Sequence, residues 1–133
     1  MVELHEGEYC RTKSGFIAKL IEIDDDGLCW FDGPITESGG ETYNLLYPDE
    51  IDEVRKHYTD ICKVIEEGDY INENEITYID KDKFIKGKIN LWTDVELRGV
   101  YGDYERLKYT TKDIKTIVTK ERMQKITYEV KED

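Results

Sequence analysis

The sequence predicts a mainly β protein made of two consecutive small units. The main indication is an internal repeat: Glu6-Gly7-Glu8-Tyr9 returns about sixty residues later as Glu67-Gly68-Asp69-Tyr70. In each copy the glycine is expected to supply a turn and the tyrosine to begin a strand. Ten tyrosines against three phenylalanines also indicate half-buried strand positions, where a ring packs inward and its hydroxyl reaches water. We place the units at residues 1–57 and 58–133.

The first unit begins with a predicted hairpin, in which residues 8–13 and 16–23 are strands and Ser14-Gly15 is the turn. The second strand should turn Ile17, Leu20 or Ile21, and Ile23 inward. Its alternation slips once, which indicates a β-bulge or a strong bend. The later elements are an acidic turn at 24–27, strands at 28–31 and 42–47, a loop at 36–41, and a tight helical turn at 48–51 with proline first.

The second unit is less clear at its start, because residues 54–65 fit a helix or a strand about equally well. Its predicted strands are 69–72, 76–79, 90–92, 95–100 and 105–110, with a hairpin turn at 101–104. The chain is expected to end with a strand at 115–118, a short helix capped by Thr119, and a last strand at 126–130.

The opening of the first unit, Gly7 to Ile23, joins a Gly-acid-Tyr strand to the turn Arg11-Thr12-Lys13-Ser14-Gly15 and a long apolar strand. This pattern resembles SH3-like and KOW-type small barrels. The resemblance implies two tandem SH3-like (KOW-like) barrels, the second extended by the C-terminal helix and strand. KOW modules often contact RNA, but acids surround this copy, so direct binding of nucleic acid is not expected.

A second resemblance covers Tyr58 to Asn72, Asp113 to Glu121 and Tyr128-Glu129-Val130. These segments are similar to a group of small proteins carried by phages and prophages of Gram-positive bacteria, with a middle like xIIxLIExGDYxN and an ending like xIKTIVTKExF. The resemblance implies origin and fold, and it carries over no catalytic residue. Because no paired carboxylates, metal cluster or nucleophile motif emerges, we expect neither an enzyme nor a cofactor.

Charge is distributed unevenly along the chain. The net charge is −12, and residues 1–80 hold 6 Lys+Arg against 21 Asp+Glu, whereas residues 81–133 hold 13 against 10. An acidic first half repels nucleic acid and attracts basic protein surfaces. The alternative is that the acids only keep the protein soluble.

The acids of the first unit gather in two stretches, 24–26 and 49–53. If these stretches lie at one end of a barrel, their carboxylates could imitate a row of phosphates and occupy a basic nucleic-acid channel. The predicted function is therefore inhibition of a host protein, with a defence nuclease as the leading class, and a solvated acidic surface is the alternative. The spacing does not fit a calcium loop. The predicted partner-binding residues are Asp24, Asp25, Asp26, Asp32, Asp49, Glu50, Asp52 and Glu53, with Glu37 and Glu41 nearby.

A basic and aromatic stretch lies in the second unit. It predicts a site for a phosphate-bearing ligand, so sequestering of a ligand or nucleotide is one alternative function, and a structural or replication accessory role is another. Alternating lysines are also typical of an edge strand protected from aggregation. The residues of this patch are Lys81, Lys83, Phe84, Lys86, Lys88 and Trp92, with Arg106, Lys108, Lys112 and Lys115 as possible neighbours.

The cysteines and the hydropathy of the chain indicate its redox state and its location. Cys10, Cys29 and Cys62 form no CxxC pair and are odd in number, so we expect buried, reduced thiols and no zinc site with His5 or His57. No apolar run is long enough to span a membrane, and the first residues do not resemble a signal peptide. The expected location is the cytoplasm of the host cell, without a membrane partner.

Overall fold

The computed structural model describes residues 3–81, 89–96, 104–122 and 126–131, without the side chains of residues 81, 94–96 and 104–106. Within these residues the protein is mainly β, as predicted, and its strands form four antiparallel sheets. The strands are β1 (Tyr9–Thr12), β2 (Ile17–Ile23), β3 (Cys29–Phe31), β4 (Thr36–Ser38), β5 (Glu41–Tyr43), β6 (Leu45–Leu46), β7 (Val54–Tyr58), β8 (Tyr70–Ile71), β9 (Asn74–Glu75), β10 (Tyr78–Lys81), β11 (Ile89–Glu96), β12 (Tyr104–Tyr109), β13 (Thr116–Val118) and β14 (Tyr128–Glu129). Short 3₁₀ helices cover Pro48–Glu53, Ile61–Lys63 and Thr111–Asp113.

The largest sheet has five strands in the order β6-β3-β2-β1-β7, and the hairpin β4-β5 lies beside it as a separate ribbon. Strand β1 is central, since it pairs with β2 on one side and with β7 on the other. Strands β6 and β7 stand at the edges. No closed barrel is found among the described strands, so the SH3-like assignment stays a prediction.

The hairpin β1-β2 is confirmed, together with its irregularity. The register of β2 against β3 shifts between Leu20 and Glu22, as a β-bulge requires. Ile17 and Leu20 are buried, but Ile21 is 56% exposed and Ile23 is 37% exposed. The prediction that Ile23 lies on the inner face is therefore wrong, because the bulge ends the alternation and leaves the last residues of β2 outside the core.

The two copies of the repeat form the same turn. Gly7 has φ +93° and Gly68 has φ +98°, a conformation open to glycine. The amide of Gly7 donates to the carbonyl of Leu20 (2.7 Å), and the amide of Leu20 donates back to the carbonyl of Glu8 (2.8 Å). In the second copy the amide of Gly68 donates to the carbonyl of Ile76 (2.9 Å), and the amide of Ile76 donates back to the carbonyl of Asp69 (2.8 Å). Both motif tyrosines then begin strands, as predicted.

The same equivalence extends to the motif acids. Glu8 Oε1 accepts the amide hydrogen of His5 at 2.7 Å, and Asp69 Oδ2 accepts that of Glu66 at 2.7 Å. In each copy, therefore, the acid after the glycine closes the turn by binding an amide three residues earlier. The repeat is a structural unit that places one strand start and one buried carboxylate twice in the chain.

Residues 54–65, which fit a helix or a strand in the sequence, contain one of each. Residues 54–58 form β7, which pairs with β1, and Ile61–Lys63 form a 3₁₀ helix. The Asp60 carboxylate accepts the amide hydrogen of Cys62 at 3.0 Å and fixes the start of that helix.

The remaining strands form two further sheets, β10-β11-β12 and β14-β13-β8-β9. Strands β11 and β12 pair from Leu91 with Tyr109 to Glu96 with Tyr104, so they are antiparallel neighbours as in the predicted hairpin, but Tyr104 lies in β12 and not in the turn. Residues 97–103, which include most of its predicted turn, lie outside the described residues. Part of the predicted strand at 95–100 falls in the same range.

The C-terminal segment crosses the first hairpin. Strand β13 matches its prediction, but Thr119 does not cap a helix with its side chain: its hydroxyl donates to the carbonyl of Gly15 at 2.6 Å. Residues 120–122 form a turn, closed by the Arg122 amide on the Thr119 carbonyl at 3.1 Å. The rest of the predicted helix, at 123–125, lies outside the described residues.

One apolar core joins both halves of the chain. Burial of apolar side chains drives the packing of sheets that are too small to be stable alone. The fully buried members include Phe16, Leu20 and Ile35 of the first half and Ile71, Leu91 and Ile117 of the second.

Candidate functional site

The acidic turn between β2 and β3 is built around Asp24. Its Oδ1 accepts the amide hydrogens of Asp26 (2.9 Å) and Leu28 (3.0 Å), and its Oδ2 accepts the indole N–H of Trp30 (3.2 Å). The hydrogen bond from Trp30, followed by those from the backbone, holds the pKa of Asp24 below its usual value. Asp24 therefore shapes the turn, while Asp25 and Asp26 are left exposed at its tip.

The second acidic stretch is the 3₁₀ helix Pro48–Glu53, which begins with proline as predicted. Glu50 Oε1 accepts the amide hydrogen of Tyr47 at 2.9 Å, and the Glu50 amide donates to the Tyr47 carbonyl at 2.8 Å. This reciprocal pair fixes the start of the helix. As a result Asp49, Asp52 and Glu53 stand on its exposed side.

The two acidic stretches lie side by side. Strand β3 pairs with β6, so Cys29 is opposite Leu46 and the ends of both strands meet. A β-carbon placed on Gly27 would be 3.2 Å from Cγ of Pro48, which puts the acidic turn directly against the start of the helix. The two acidic stretches are therefore neighbours in space, although the described strands do not form the barrel that the prediction of phosphate imitation assumed. We call their exposed carboxylates the acidic face: Asp25, Asp26, Asp49, Asp52 and Glu53.

Asp32 has a different role from the other predicted acids. It is half-buried, and its Oδ1 accepts the amide hydrogen of Lys19 at 2.9 Å. Its Oδ2 accepts the hydroxyl hydrogen of Tyr128 at 2.9 Å. Because both oxygens are engaged inside the protein, Asp32 connects the first sheet to β14 and does not belong to the acidic face.

Two adjoining hollows lie beside the acidic face and share Thr36, Glu37 and Glu50. Their volumes are about 370 and 500 Å³. Asp49 and Glu53 line the smaller hollow, and Tyr43 and Tyr47, which are 42% and 54% exposed, line the larger one. We call the two hollows together the acidic groove. Carboxylates next to exposed tyrosines are a combination suited to a basic protein partner.

Arg122 shows how a guanidinium fits the acidic groove. Its Cζ lies 4.2 Å from the centre of the Phe16 ring, and its Nη2 donates to Glu37 Oε2 at 2.5 Å. Its Nη1 donates to the carbonyl of Ser14 at 3.4 Å. This cation from the C-terminal segment thus pairs with one carboxylate of the groove, and the acids of the 3₁₀ helix are not among its partners.

No protein-family model, curated protein or solved structure matches this chain. Among the described residues, no helix has the length and apolar character needed to cross a membrane.

The predicted basic patch is only partly described. Residues 83, 84, 86 and 88 lie outside the described residues, and Lys81 is described by its backbone alone, in β10. Trp92 lies in β11, opposite Tyr78 of β10 and Lys108 of β12. The Lys108 ammonium is 5.9 Å from the centre of the Trp92 ring. Of the six patch residues, therefore, only Trp92 has a described side chain, and Lys108 is a predicted neighbour that lies over it.

A buried ion cluster that no sequence motif predicts lies between the two repeats. Arg11, fully buried in β1, donates to both oxygens of Asp69 (2.6 and 3.0 Å) and to both oxygens of Glu121 (2.9 and 2.7 Å). Burial acts to lower the pKa of Arg11, but these carboxylates hold it above its usual value. Consecutive residues of β1 are buried on both faces, so the strand pattern does not single out Arg11, and its partners Asp69 and Glu121 lie 58 and 110 residues away in the sequence.

Glu66 extends this cluster toward the surface. Its Oε2 lies 2.5 Å from Arg55 and 2.9 Å from Lys56, and its Oε1 lies 3.0 Å from Lys120. Burial opposes ionisation of Glu66, but the hydrogen bonds from these three cations hold its pKa well below the usual value. Arg55 and Lys56 thus both pair with Glu66, and Arg55 also lies 3.6 Å from Glu121.

The cysteines are buried, as expected. Burial raises the pKa of the Cys10 thiol to about 12 and that of Cys62 to about 11, which keeps both thiols protonated and unreactive at neutral pH. The described residues contain no group of three or more His, Cys, Asp or Glu side chains placed to hold a metal ion.

Proposed function

We propose that the protein acts by binding: its acidic face engages a basic surface of a host protein and inhibits that protein. The observation that carries this proposal is a set of five exposed carboxylates, Asp25, Asp26, Asp49, Asp52 and Glu53, beside two exposed tyrosines. A nucleic-acid-binding nuclease of host defence is the partner class that the charge and the resemblance to phage proteins favour. Tandem SH3-like units remain our proposal for the finer architecture.

The pairing of charges supports a role outside the fold for these carboxylates. Within the described residues, no side chain forms a hydrogen bond or ion pair with any carboxylate of the acidic face. By contrast, Asp69, Glu66 and Glu121 take up Arg11, Arg55 and Lys56. Three of the six cations of the first half thus pair within this cluster, and the carboxylates of the acidic face stay uncompensated among the described residues. Such a face attracts cations over roughly 8 Å at physiological ionic strength.

The neighbouring tyrosines support a protein partner. Tyrosine supplies a large contact area with few rotatable bonds and is enriched in protein interfaces. Tyr43 and Tyr47 lie next to Glu50 in the same hollow, so an arginine or lysine of a partner could contact a ring and a carboxylate together. Arg122, Phe16 and Glu37 already form such an arrangement inside the chain.

The test combines partner capture with matched charge reversals. The immobilised protein is exposed to host lysate, and the captured proteins are identified and purified. Affinity is then compared for a face variant, Asp25→Lys, Asp26→Lys and Asp49→Lys, and a control variant, Glu3→Lys, Glu73→Lys and Glu129→Lys. Both sets change three exposed acids, so the total charge is equal in the two variants. Asp24 and Glu50 are kept because they hold the turn and the helix.

The proposal expects the face variant to bind at least about tenfold more weakly, since each close charge pair contributes up to about 1 kcal/mol. The control variant should bind as the wild type does, and added salt should weaken wild-type binding. A nucleic acid that the partner binds should compete with the protein. Equal losses of affinity in the two variants, or capture that does not depend on the salt concentration, would contradict binding through the acidic face.

A further inference from the structure

A second cleft lies between β7 and the start of β11, and it shares no residue with the acidic groove. Its volume is about 700 Å³, within the range of about 300–1,000 Å³ typical of small-molecule sites. Lys56, Tyr58, Lys63 and Lys120 line it, and the buried side chains of Ile65 and Ile89 form an apolar part of its wall. We call it the lysine cleft.

The lysine cleft holds three lysines against two acids, Glu66 and Glu67, which is a small excess of positive charge in a protein with a net charge of −12. The Lys63 ammonium lies 5.6 Å from the centre of the Tyr58 ring, and the part of the chain that the structure describes offers it no carboxylate partner. Tyr58 is itself 43% exposed. A cation and an aromatic ring are therefore presented to solvent next to each other.

The other two lysines are held in place by Glu66. Lys56 reaches one oxygen of this carboxylate at 2.9 Å, and Lys120 reaches the other at 3.0 Å. One carboxylate thus collects two ammonium groups at the wall of the cleft. A phosphate group carries more charge and more acceptor oxygens than a carboxylate, so it can bridge the same ammonium groups.

We propose that the lysine cleft binds a small phosphate-bearing ligand with a planar ring, of the nucleotide type. The phosphate contacts Lys56, Lys63 and Lys120, and the ring lies against Tyr58 and the isoleucine wall. A long nucleic acid is disfavoured, because the acidic first half repels a polyanion more strongly than a ligand with one or two phosphates. This inference does not depend on the proposed function.

The experiment is a titration of the ¹⁵N-labelled protein followed by amide resonances. The probes are AMP, GMP, adenosine, inorganic phosphate and a twelve-nucleotide single-stranded DNA. AMP or GMP should shift the amides of residues 56–67 and 120, phosphate should shift a subset at higher concentration, and adenosine should have the smallest effect. Failure of both nucleotides to shift these amides overturns the proposal. Tighter binding of the DNA than of either nucleotide at the same amides also overturns it.

Three variants test the assignment of the residues. Lys63→Gln should weaken nucleotide binding about threefold, as expected for an exposed charge pair. Glu66→Gln should strengthen it, because the competing carboxylate loses its charge and releases Lys56 and Lys120. Lys131→Gln, an exposed lysine outside the cleft, should leave it unchanged. Among the described residues the Lys63 ammonium forms no hydrogen bond or ion pair and lies over the Tyr58 ring, so its variant is expected to fold, and unchanged affinity in it overturns the proposal.

Discussion

Arg11 in the first repeat binds Asp69 in the second, with Nη1 2.6 Å from Oδ2 and Nη2 3.0 Å from Oδ1. Neither side chain has any exposed surface. Asp69 is also the motif acid that closes the second repeat's turn, so one carboxylate serves both the local turn and the contact between repeats. The pair therefore couples the folding of the two halves.

Removing the cation of this pair should be strongly destabilising. Arg11→Met leaves Asp69 as a buried charge without the guanidinium that donates two hydrogen bonds to it. We therefore expect the free energy of unfolding to fall by about 3–5 kcal/mol. Urea denaturation followed by circular dichroism measures the change. Lys13→Met, at an exposed position of the same hairpin, should change stability by no more than about 0.5 kcal/mol.

A double variant measures the interaction energy between Arg11 and Asp69 themselves. Asp69→Asn keeps the shape of the side chain and removes its charge. The double variant Arg11→Met/Asp69→Asn should therefore lose less free energy of unfolding than the two single variants added together, with a difference of about 1 kcal/mol or more. Strict additivity would show that the two groups contribute to stability independently.

The repeat turns and hairpins were predictable because their causes are local. A glycine with positive φ, an acid next to it and an alternating strand are all encoded within about ten residues of sequence. The predictions of the turn at Ser14-Gly15, the bulge near Leu20, and the proline-initiated turn at Pro48 are accordingly confirmed.

The parts that failed depend on partners far away in sequence. Thr119 looked like a helix cap, but its hydroxyl binds Gly15, 104 residues earlier. Asp32 looked like a surface acid, but it accepts the Tyr128 hydroxyl, 96 residues later. The acidic groove is lined by Arg122, whose carboxylate partner Glu37 lies 85 residues earlier.

The two repeat glycines offer a test of their equivalence. A β-carbon on Gly7 would meet nothing within 4 Å, and one on Gly68 would touch only the flexible Lys120 side chain at 3.4 Å. Gly7→Ala and Gly68→Ala should therefore each cost about 1–2 kcal/mol through backbone strain alone. Gly→Asn at either site should cost less, because asparagine tolerates positive φ better. A neutral alanine substitution at either position, measured by denaturation, would argue against this account.

Gly15 should respond differently, since its surroundings are occupied. A β-carbon there would lie 2.5 Å from Cβ of Glu121, at φ +91°. Gly39 has φ +61° and open space around it, which makes it a matched control. We expect Gly15→Ala to lose about 1–3 kcal/mol more than Gly39→Ala in thermal or urea unfolding, because the segment carrying Glu121 must move away. Similar losses at both positions would mean that this segment is not packed tightly on the first hairpin.

Acidification should weaken the ion cluster through Glu66 and Glu121. Hydrogen bonds from Arg55, Lys56 and Lys120 overcome burial to lower the pKa of Glu66, and those from Arg11 do the same for the pKa of Glu121. A carboxylate whose pKa is lower in the folded state stabilises the fold fully above its unfolded pKa, about 4.3 for glutamate, and loses that contribution as the pH falls further. The free energy of unfolding should therefore decline from about pH 5 toward pH 2.

Urea denaturation across this interval should show a shallower decline for Glu66→Gln than for the wild type, because the neutral side chain no longer takes up a proton on unfolding. Equal declines in the two proteins would show that Glu66 is not the group that couples acid to stability.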